Sequence, residues 1–433
     1  RTEADVLRER FRGAVLTPAS AGYEDAREVF NAMIERRPRL IAQAVSRDDV
    51  VAALAFARDR ELPVAIRNGG HSVSGAGLVD DGLVIDLRRM SRVRVDPVAR
   101  IATVAAGATW GDFDRATQPY GLAATGGRVS TTGVAGLTLG GGSGWLERKF
   151  GLACDALEQV TLITAEGETV VASERENPEL FWALHGGGGN FGVAVEMRFR
   201  LQPLPAASLG IHLWDASRGP AVSARYRDMI EAGAPDELGG GLFYITGPEE
   251  DFVPAHLRGK LCVAVIGVFA GPEADARAAL SPVTELRPEG GFLTEMPYAE
   301  IQSALDDPPG FRNYWSAEHL RELPDAALER FNARADEMIV PSASQHILFP
   351  GGGAVADGTS EWPLPWRSAP WTVHPLGLWS DPADDERGIA WAQAVCDDMR
   401  EWATGDVYLN FVSNEGEQRV VAGHGRSNYE RMA

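Results

Sequence analysis

ENPELFWALHGGGGNFGVAVEMRFRL, residues 176–201, decides which fold the chain can adopt. It contains GxGxxG as Gly187, Gly189 and Gly192. In a Rossmann unit that fingerprint follows a strand and opens a helix, so that the helix N-terminus meets a pyrophosphate. Here the order is inverted. The helix-like ENPELFWAL comes first, and VAVEMRFRL, whose apolar residues alternate, predicts a strand after the glycines. The usual nicotinamide-binding fold is therefore rejected.

Upstream, the strand-like VTLIT and TVVAS flank a Gly-Glu turn between residues 160 and 173. Further back, short apolar runs at 63–66, 83–86, 93–95 and 101–104 are separated by glycine, and helical spacing marks 4–11, 23–30 and 48–57. The last of these opens on acidic residues, which suit a helix N-terminus. Downstream, composition shifts at Pro203-Leu204-Pro205. Strand-like runs follow at 241–245, 261–269, 346–349 and 373–379, with helix-like 324–335 and 385–403 and a last strand-like run at 407–412. No fixed repeat is visible. The class is α+β, with expected domains at 1–205 and 206–404 and a terminal piece at 405–433.

Three more glycine clusters stand at Gly69-Gly70, 133–144 (GVAGLTLGGGSG) and 351–353. A single cluster would read as a tight turn. Several of them, joined by strands, favour a long polyanionic ligand such as a dinucleotide, because glycine lets backbone N–H groups approach it. His71 follows Arg67-Asn68-Gly69-Gly70 directly and is held by backbone that can press against a ligand. Metal binding is disfavoured, since no second His or Cys stands at ligand spacing and HExxH is absent.

The 433 residues include 41 basic and 61 acidic ones, a formal net charge of −20. Such a surface repels phosphate backbones and anionic lipid, so nucleic-acid and membrane partners are not expected. No run approaches the ~20 apolar residues that span a bilayer. Cys154, Cys262 and Cys396 are too few and too scattered for a disulfide framework. With no apolar leader at Arg1, a cytoplasmic protein is expected.

RNGGHSVSG (67–75), GLVIDLRRM (82–90), AAGATWGDFD (105–114), GVAGLTLGGGSGWLERKFGLACD (133–155) and the opening stretch together resemble the berberine-bridge-enzyme-like FAD oxidases of the vanillyl-alcohol-oxidase/PCMH superfamily. The resemblance implies a PCMH-type FAD-binding domain of two subdomains. A substrate domain, with an antiparallel sheet covered by helices, accompanies it. Tyr408-Leu409-Asn410 and Asn428-Tyr429-Glu430-Arg431 resemble the family's C-terminal return to the FAD domain, whose tail is expected to be incomplete here.

By the same resemblance the cofactor is FAD, bound covalently through an 8α-histidyl link to His71. Val129 stands where some members carry a second, cysteinyl tether, so one link is expected. Thr132 falls at the position that governs oxygen access and is compatible with an oxidase; its hydroxyl near flavin N5 would instead favour monooxygenase chemistry. Implied cofactor contacts are Arg67, Asn68, Gly69, Gly70, Ser72, Thr132, Gly133, Gly136, Leu137, Gly140, Gly141, Gly142, Gly144, Trp145, Val193, Tyr408 and Asn410. The pyrophosphate is expected on backbone N–H groups of 69–72 and 133–144.

An alcohol losing hydride also needs a base for its hydroxyl proton. Aligned on Trp379, His374 in PLPWRSAPWTVHPLGLW (363–379) takes the place where relatives carry Glu or Gln, although a His on the strand's outer face is an equal reading. Tyr408 is the second candidate. Tyr314-Trp315-Ser316 replaces the family's Tyr-Trp-Lys, which argues against amine oxidation. Tyr314, Trp366 and Trp371 are the expected wall for a flat, hydrophobic or phenolic substrate.

The expected activity is oxidation of an alcohol or a phenolic, polyketide-type small molecule with O2 as acceptor, releasing H2O2. A flavin monooxygenase or an oxidative cyclase is the alternative. A flavin-storing protein without catalysis would need no base candidates.

Overall fold

Period-two and period-3.6 patterns resolve into three large sheets, one two-stranded sheet and the helices that cover them. The computed structural model describes residues 2–357 and 361–433. In the first sheet, β1 (Ala14–Leu16), β2 (Leu40–Gln43), β3 (Val64–Arg67) and β4 (Leu83–Asp86) lie in the order β1-β2-β4-β3. β2, β4 and β3 run parallel. β4 is buried at every residue, as an inner parallel strand should be. The helix Arg47–Arg58 joins β2 to β3; its Ser46 N-cap accepts a hydrogen bond from the Asp49 N–H.

The second sheet takes up β5 (Val93–Asp96) and β6 (Ile101–Ala105). After the two-residue β7 (Leu122–Ala123) come β8 (Leu157–Ile163), β9 (Thr169–Ser173) and β10 (Val193–Arg200). The order is β5-β6-β10-β8-β9, antiparallel throughout, and β7 pairs with β11 (Gln202–Pro203). One core holds these two sheets together, with Ile85, Trp110, Phe113 and Phe199 all fully buried in it.

The third sheet has eight strands: β12 (Ser208–Asp215), β13 (Leu238–Thr246), β14 (Leu261–Phe269), β15 (Gly290–Glu295), β16 (Arg312–Trp315), β17 (Glu318–Leu320), β18 (Gln345–Pro350) and β19 (Trp371–Trp379). Its path is β15-β12-β14-β13-β18-β19-β16, with β17 also on β19, and every pairing is antiparallel. Side chains alternate between its faces. Leu242, Val263, Val265, Leu348 and Val373 pack under the helices Gly219–Glu231, Asp325–Ala335 and Asp385–Met399. Phe243, Ile245, Ile266, Ile347, Phe349 and Leu376 face the other way.

The strand expected at 407–412 does not form. Leu409–Phe411 is a 3-10 turn, because this segment bonds singly to separate elements rather than along a ladder: the Asn410 amide donates to the Leu137 carbonyl of the helix Val134–Leu139, and the Ser413 N–H to the carbonyl of Trp315 at the end of β16. Two helices, Glu417–His424 and Arg426–Met432, follow. The expected helices at 4–11, 23–30 and 385–403 end earlier, at Arg8, Arg27 and Met399.

Candidate active site

A cavity of about 750 Å³ lies between the glycine loops and the free face of the third sheet. That is toward the upper end of the roughly 300–1,000 Å³ range of small-molecule sites. The loop after β3, residues 128–145, residues 188–194, Trp315, the sheet and the 408–412 turn all contribute to its wall.

Two loops meet backbone to backbone at its edge. A Cβ on Gly69 would sit 2.4 Å from the Gly133 nitrogen, and one on Gly133 would sit 1.4 Å from Asn68 Oδ1, so neither position accepts a side chain. Gly70 adopts φ +78°, where glycine is favoured. This junction projects His71 into the cavity wall. Its ring stacks on Phe30 at 4.2 Å, Nε2 lies 2.8 Å from Thr131 Oγ1, and Nδ1 lies 3.4 Å from Thr132 Oγ1. Burial lowers the His71 pKa to about 4, so the ring is neutral at pH 7 and keeps a lone pair.

Not every glycine named from sequence faces the cavity. Gly136, in the helix Val134–Leu139, lines it, and a Cβ there meets nothing within 4 Å; the same holds for Gly189. Gly140, Gly141, Gly142 and Gly144 lie behind the wall instead. Added Cβ atoms on Gly140, Gly142 and Gly144 would run into Asn410, Ala153 and Gly126 respectively, so close packing requires them, whereas Gly141 adopts φ +117°, where glycine is favoured. Val193 is buried in the core, outside the cavity lining. Arg67 also stands behind its loop, donating to the Ala26 and Glu28 carbonyls.

The glycines at 140–144 wrap around Tyr408. Its hydroxyl oxygen accepts the N–H groups of Gly142 at 3.1 Å and Ser143 at 3.0 Å and the Asn410 amide at 2.9 Å. Burial pushes the phenol up to about 12 despite these donors. Tyr408→Phe strands three donors, each costing about 1–3 kcal/mol if left unpaired and dry. A clear drop in Tm is therefore expected, measurable by thermal unfolding of the FAD-loaded protein; an unchanged Tm would show that the three bonds contribute nothing.

His374, on β19, is buried and lines the cavity. With Nδ1 2.8 Å from the Ser316 carbonyl, that nitrogen is assigned the proton, which leaves Nε2 as an acceptor without a partner. The ring stacks on Phe411 at 4.2 Å. Burial drives its pKa down to about 3; the Ser316 bond opposes the shift, and Arg128 adds to it.

Two lining residues escaped the sequence reading. Arg128 bonds Ser143 Oγ at 2.8 Å and Glu147 at 3.0 Å, lies 4.0 Å over the Phe349 ring, and keeps Nε unpartnered. Asp307 follows the helix Tyr298–Ala304 and accepts the Gln345 amide at 2.6 Å. Burial raises its carboxyl to about 7. An acidic doublet before two prolines carries no spacing signal, so only its contact with β18 distinguishes it.

The expected aromatic wall is also redistributed. Trp371 lies on the helix-covered face against Tyr226, Tyr314 turns toward Glu415 and Gln393, and Trp366 sits beyond Tyr408. Trp315, Phe349 and Phe411 line the cavity in their place. Alternation along a strand explains the exchange of Tyr314 for Trp315, because neighbours point to opposite faces. Among the described residues no group of three His, Cys, Asp or Glu is placed to hold a metal ion, and no helix is long and apolar enough to cross a membrane.

A family model described as an FAD binding domain matches residues 38–173. The FAD-linked oxidoreductase YgaK of Bacillus subtilis (strain 168) is 27% identical over 415 residues, 93% of this chain and 88% of that protein. Nicotine oxidases match in both sequence and fold. (R)-6-hydroxynicotine oxidase of Paenarthrobacter nicotinovorans is 37% identical over 213 residues, 49% of this chain and 46% of that enzyme. The crystal structure of 6-hydroxy-D-nicotine oxidase from Arthrobacter nicotinovorans has a TM-score of 0.84 at 25% identity, covering 98% of this chain and 94% of that one. Physcomitrella patens BBE-like 1 gives 0.86 at 20% identity, covering 99% and 94%.

The residues present fit FAD. Gly136 and Gly189 leave room that a side chain would fill, and Asn68 Nδ2 is a buried donor without a partner between the two loops. The neutral His71 ring stands at the same junction.

Proposed function

We propose, from the premise that this chain belongs to the berberine-bridge-enzyme-like FAD-linked oxidoreductases, that it oxidises flat, apolar alcohols or phenols with O2 as electron acceptor. One observation carries the substrate class. The sheet face that meets the His71 loop across the cavity is built from Phe243, Ile245, Ile266, Ile347, Phe349 and Leu376. A sugar would leave its hydroxyls unpaired against that wall, whereas an aromatic or polyketide-type ring buries apolar area there.

Bound FAD supplies the two-electron chemistry, taking hydride from the substrate carbon and passing the electrons to O2. The chain's own residues do the rest. Asn68 and the open glycines hold the cofactor, and the His71 lone pair is free to form the single 8α link. His374 Nε2 offers an acceptor to a substrate donor, and the apolar sheet excludes water. Ser316 stands outside the cavity lining, its hydroxyl accepting from the Cys396 thiol, and touches the site only through the carbonyl that His374 Nδ1 donates to. Thr132 has its hydroxyl directed at His71 Nδ1, so no separate observation favours the monooxygenase reading.

Aryl alcohols, phenols, amines and oligosaccharides, each supplied with labelled O2, test the reading. Aryl alcohols or phenols are expected to yield H2O2 in equal amount to the dehydrogenated product, with no label in that product. Labelled product would make the enzyme a monooxygenase. Faster turnover of oligosaccharides would refute the apolar-wall argument.

A further inference from the structure

We propose that Asp307, held at the cavity wall by Gln345, is the group that takes the proton from the substrate's hydroxyl. The assignment rests on the oxidase reading above and names the base of that same site. The ionisable groups lining the cavity are His71, Arg128, Asp306, Asp307, His374 and Tyr408. Four of the other five are committed elsewhere, and the fifth is poorly suited to a proton.

Tyr408 already receives three N–H donors on its oxygen. Asp306 is pinned by the N–H and the hydroxyl of Ser130. His71 stands at the glycine-loop junction, where its lone pair is assigned to the flavin link. Arg128 is a cation paired with Glu147. His374 has a free Nε2, but a proton there makes a buried cation on the same side as Arg128, with no carboxylate bonded to it.

Asp307 differs from all of them. One carboxylate oxygen accepts the Gln345 amide, and the other has no hydrogen bond among the described residues. Gln345 sits on β18 in register with Leu376 and two residues from Ile347, which pairs with His374 across the strands, so the carboxylate stands beside the substrate-facing sheet. Burial and the neighbouring Asp306 charge both raise its affinity for a proton, while Gln345 lowers it. The balance suits a base at neutral pH, because proton transfer is most effective when the acceptor's pKa lies near the working pH.

In the balanced step, the carbinol C–H bond of an alcohol substrate would break with its electron pair leaving as hydride, which bound FAD would accept. The O–H proton passes to the free oxygen of Asp307, and a C=O bond forms. O2 then takes up the hydride equivalent and that proton as H2O2, which restores the carboxylate.

Two measurements on the FAD-loaded protein decide it. With carboxyl-13C aspartate, the resonance missing from Asp307→Asn should titrate near pH 7 in the wild type. Gln345→Leu should move that midpoint higher, since it removes the donor that stabilises the anion. A wild-type midpoint below about pH 5, near an ordinary aspartate, would overturn the assignment.

The second measurement is anaerobic flavin reduction by whichever panel compound reduces the wild type. Asp307→Asn should slow it by about 10²–10⁴-fold and abolish its rise with pH, with flavin loading and Tm unchanged. Reduction at the wild-type rate would overturn the proposal and leave the oxidase reading intact. If no compound reduces the wild-type flavin, the oxidase reading fails and this assignment falls with it.

Discussion

His71→Ala is expected to release all of its flavin on acid precipitation, while the wild-type pellet stays yellow. A covalent link needs a nucleophile with a free lone pair at the cofactor, and the neutral His71 ring at the junction of two glycine loops meets that need. No second nucleophile competes in the same loops. Val129, which lines the cavity, has no nucleophilic atom, and Cys154 is fully buried outside the cavity, with its thiol pushed well above its usual range by burial. A tryptic flavopeptide from the wild type should therefore contain His71. The alanine variant should still bind FAD reversibly, because the glycine loops remain, but it should reduce more slowly. Flavin that stays with denatured His71→Ala protein would move the link to another residue.

Gly136→Val is expected to give a folded protein that carries no FAD. Valine is a better helix former than glycine, and at this position its Cβ meets no protein atom within 4 Å, so the apoprotein is not strained. Its methyl groups would instead occupy the cavity beside the glycine loops. Circular dichroism and Tm of the apo form should match those of apo wild type, while the absorbance of bound flavin disappears. Gly140→Val provides the contrast. Its side chain would collide with the Asn410 amide, so it should lose stability as well as flavin. Full loading of Gly136→Val would mean that the cofactor does not approach this helix.

Much of the fold was legible in particular stretches. The inverted helix–glycine–strand order of 176–201 ruled out a Rossmann unit, and the structure has Pro178–Ala183 as a helix and β10 as an antiparallel inner strand. The apolar run at 261–269 is β14 within the same bounds. Other elements were silent. β12, β15, β16 and β17 contain too few contiguous apolar residues, or too many glycines, for alternation to stand out, and they form because neighbouring strands supply hydrogen-bond partners. The 407–412 run is strand-like in its nearly continuous apolar residues, but no ladder partner reached it.

The site divides along the same line. Sequence by itself determined the Gly-Gly-His motif, the valine at 129 and the serine at 316, because each depends only on residue type and order along the chain. Tertiary structure alone decided that Trp315 rather than Tyr314 lines the cavity, that Gly136 faces it while Gly140 packs against Asn410, and that burial raises the proton affinity of the Asp307 carboxyl. These depend on burial and on partners far along the chain: Gln345 lies 38 residues from Asp307, and Tyr408 lies 266 from Gly142. A side chain's direction and proton affinity are set by what surrounds it in space, and residue order does not record those surroundings.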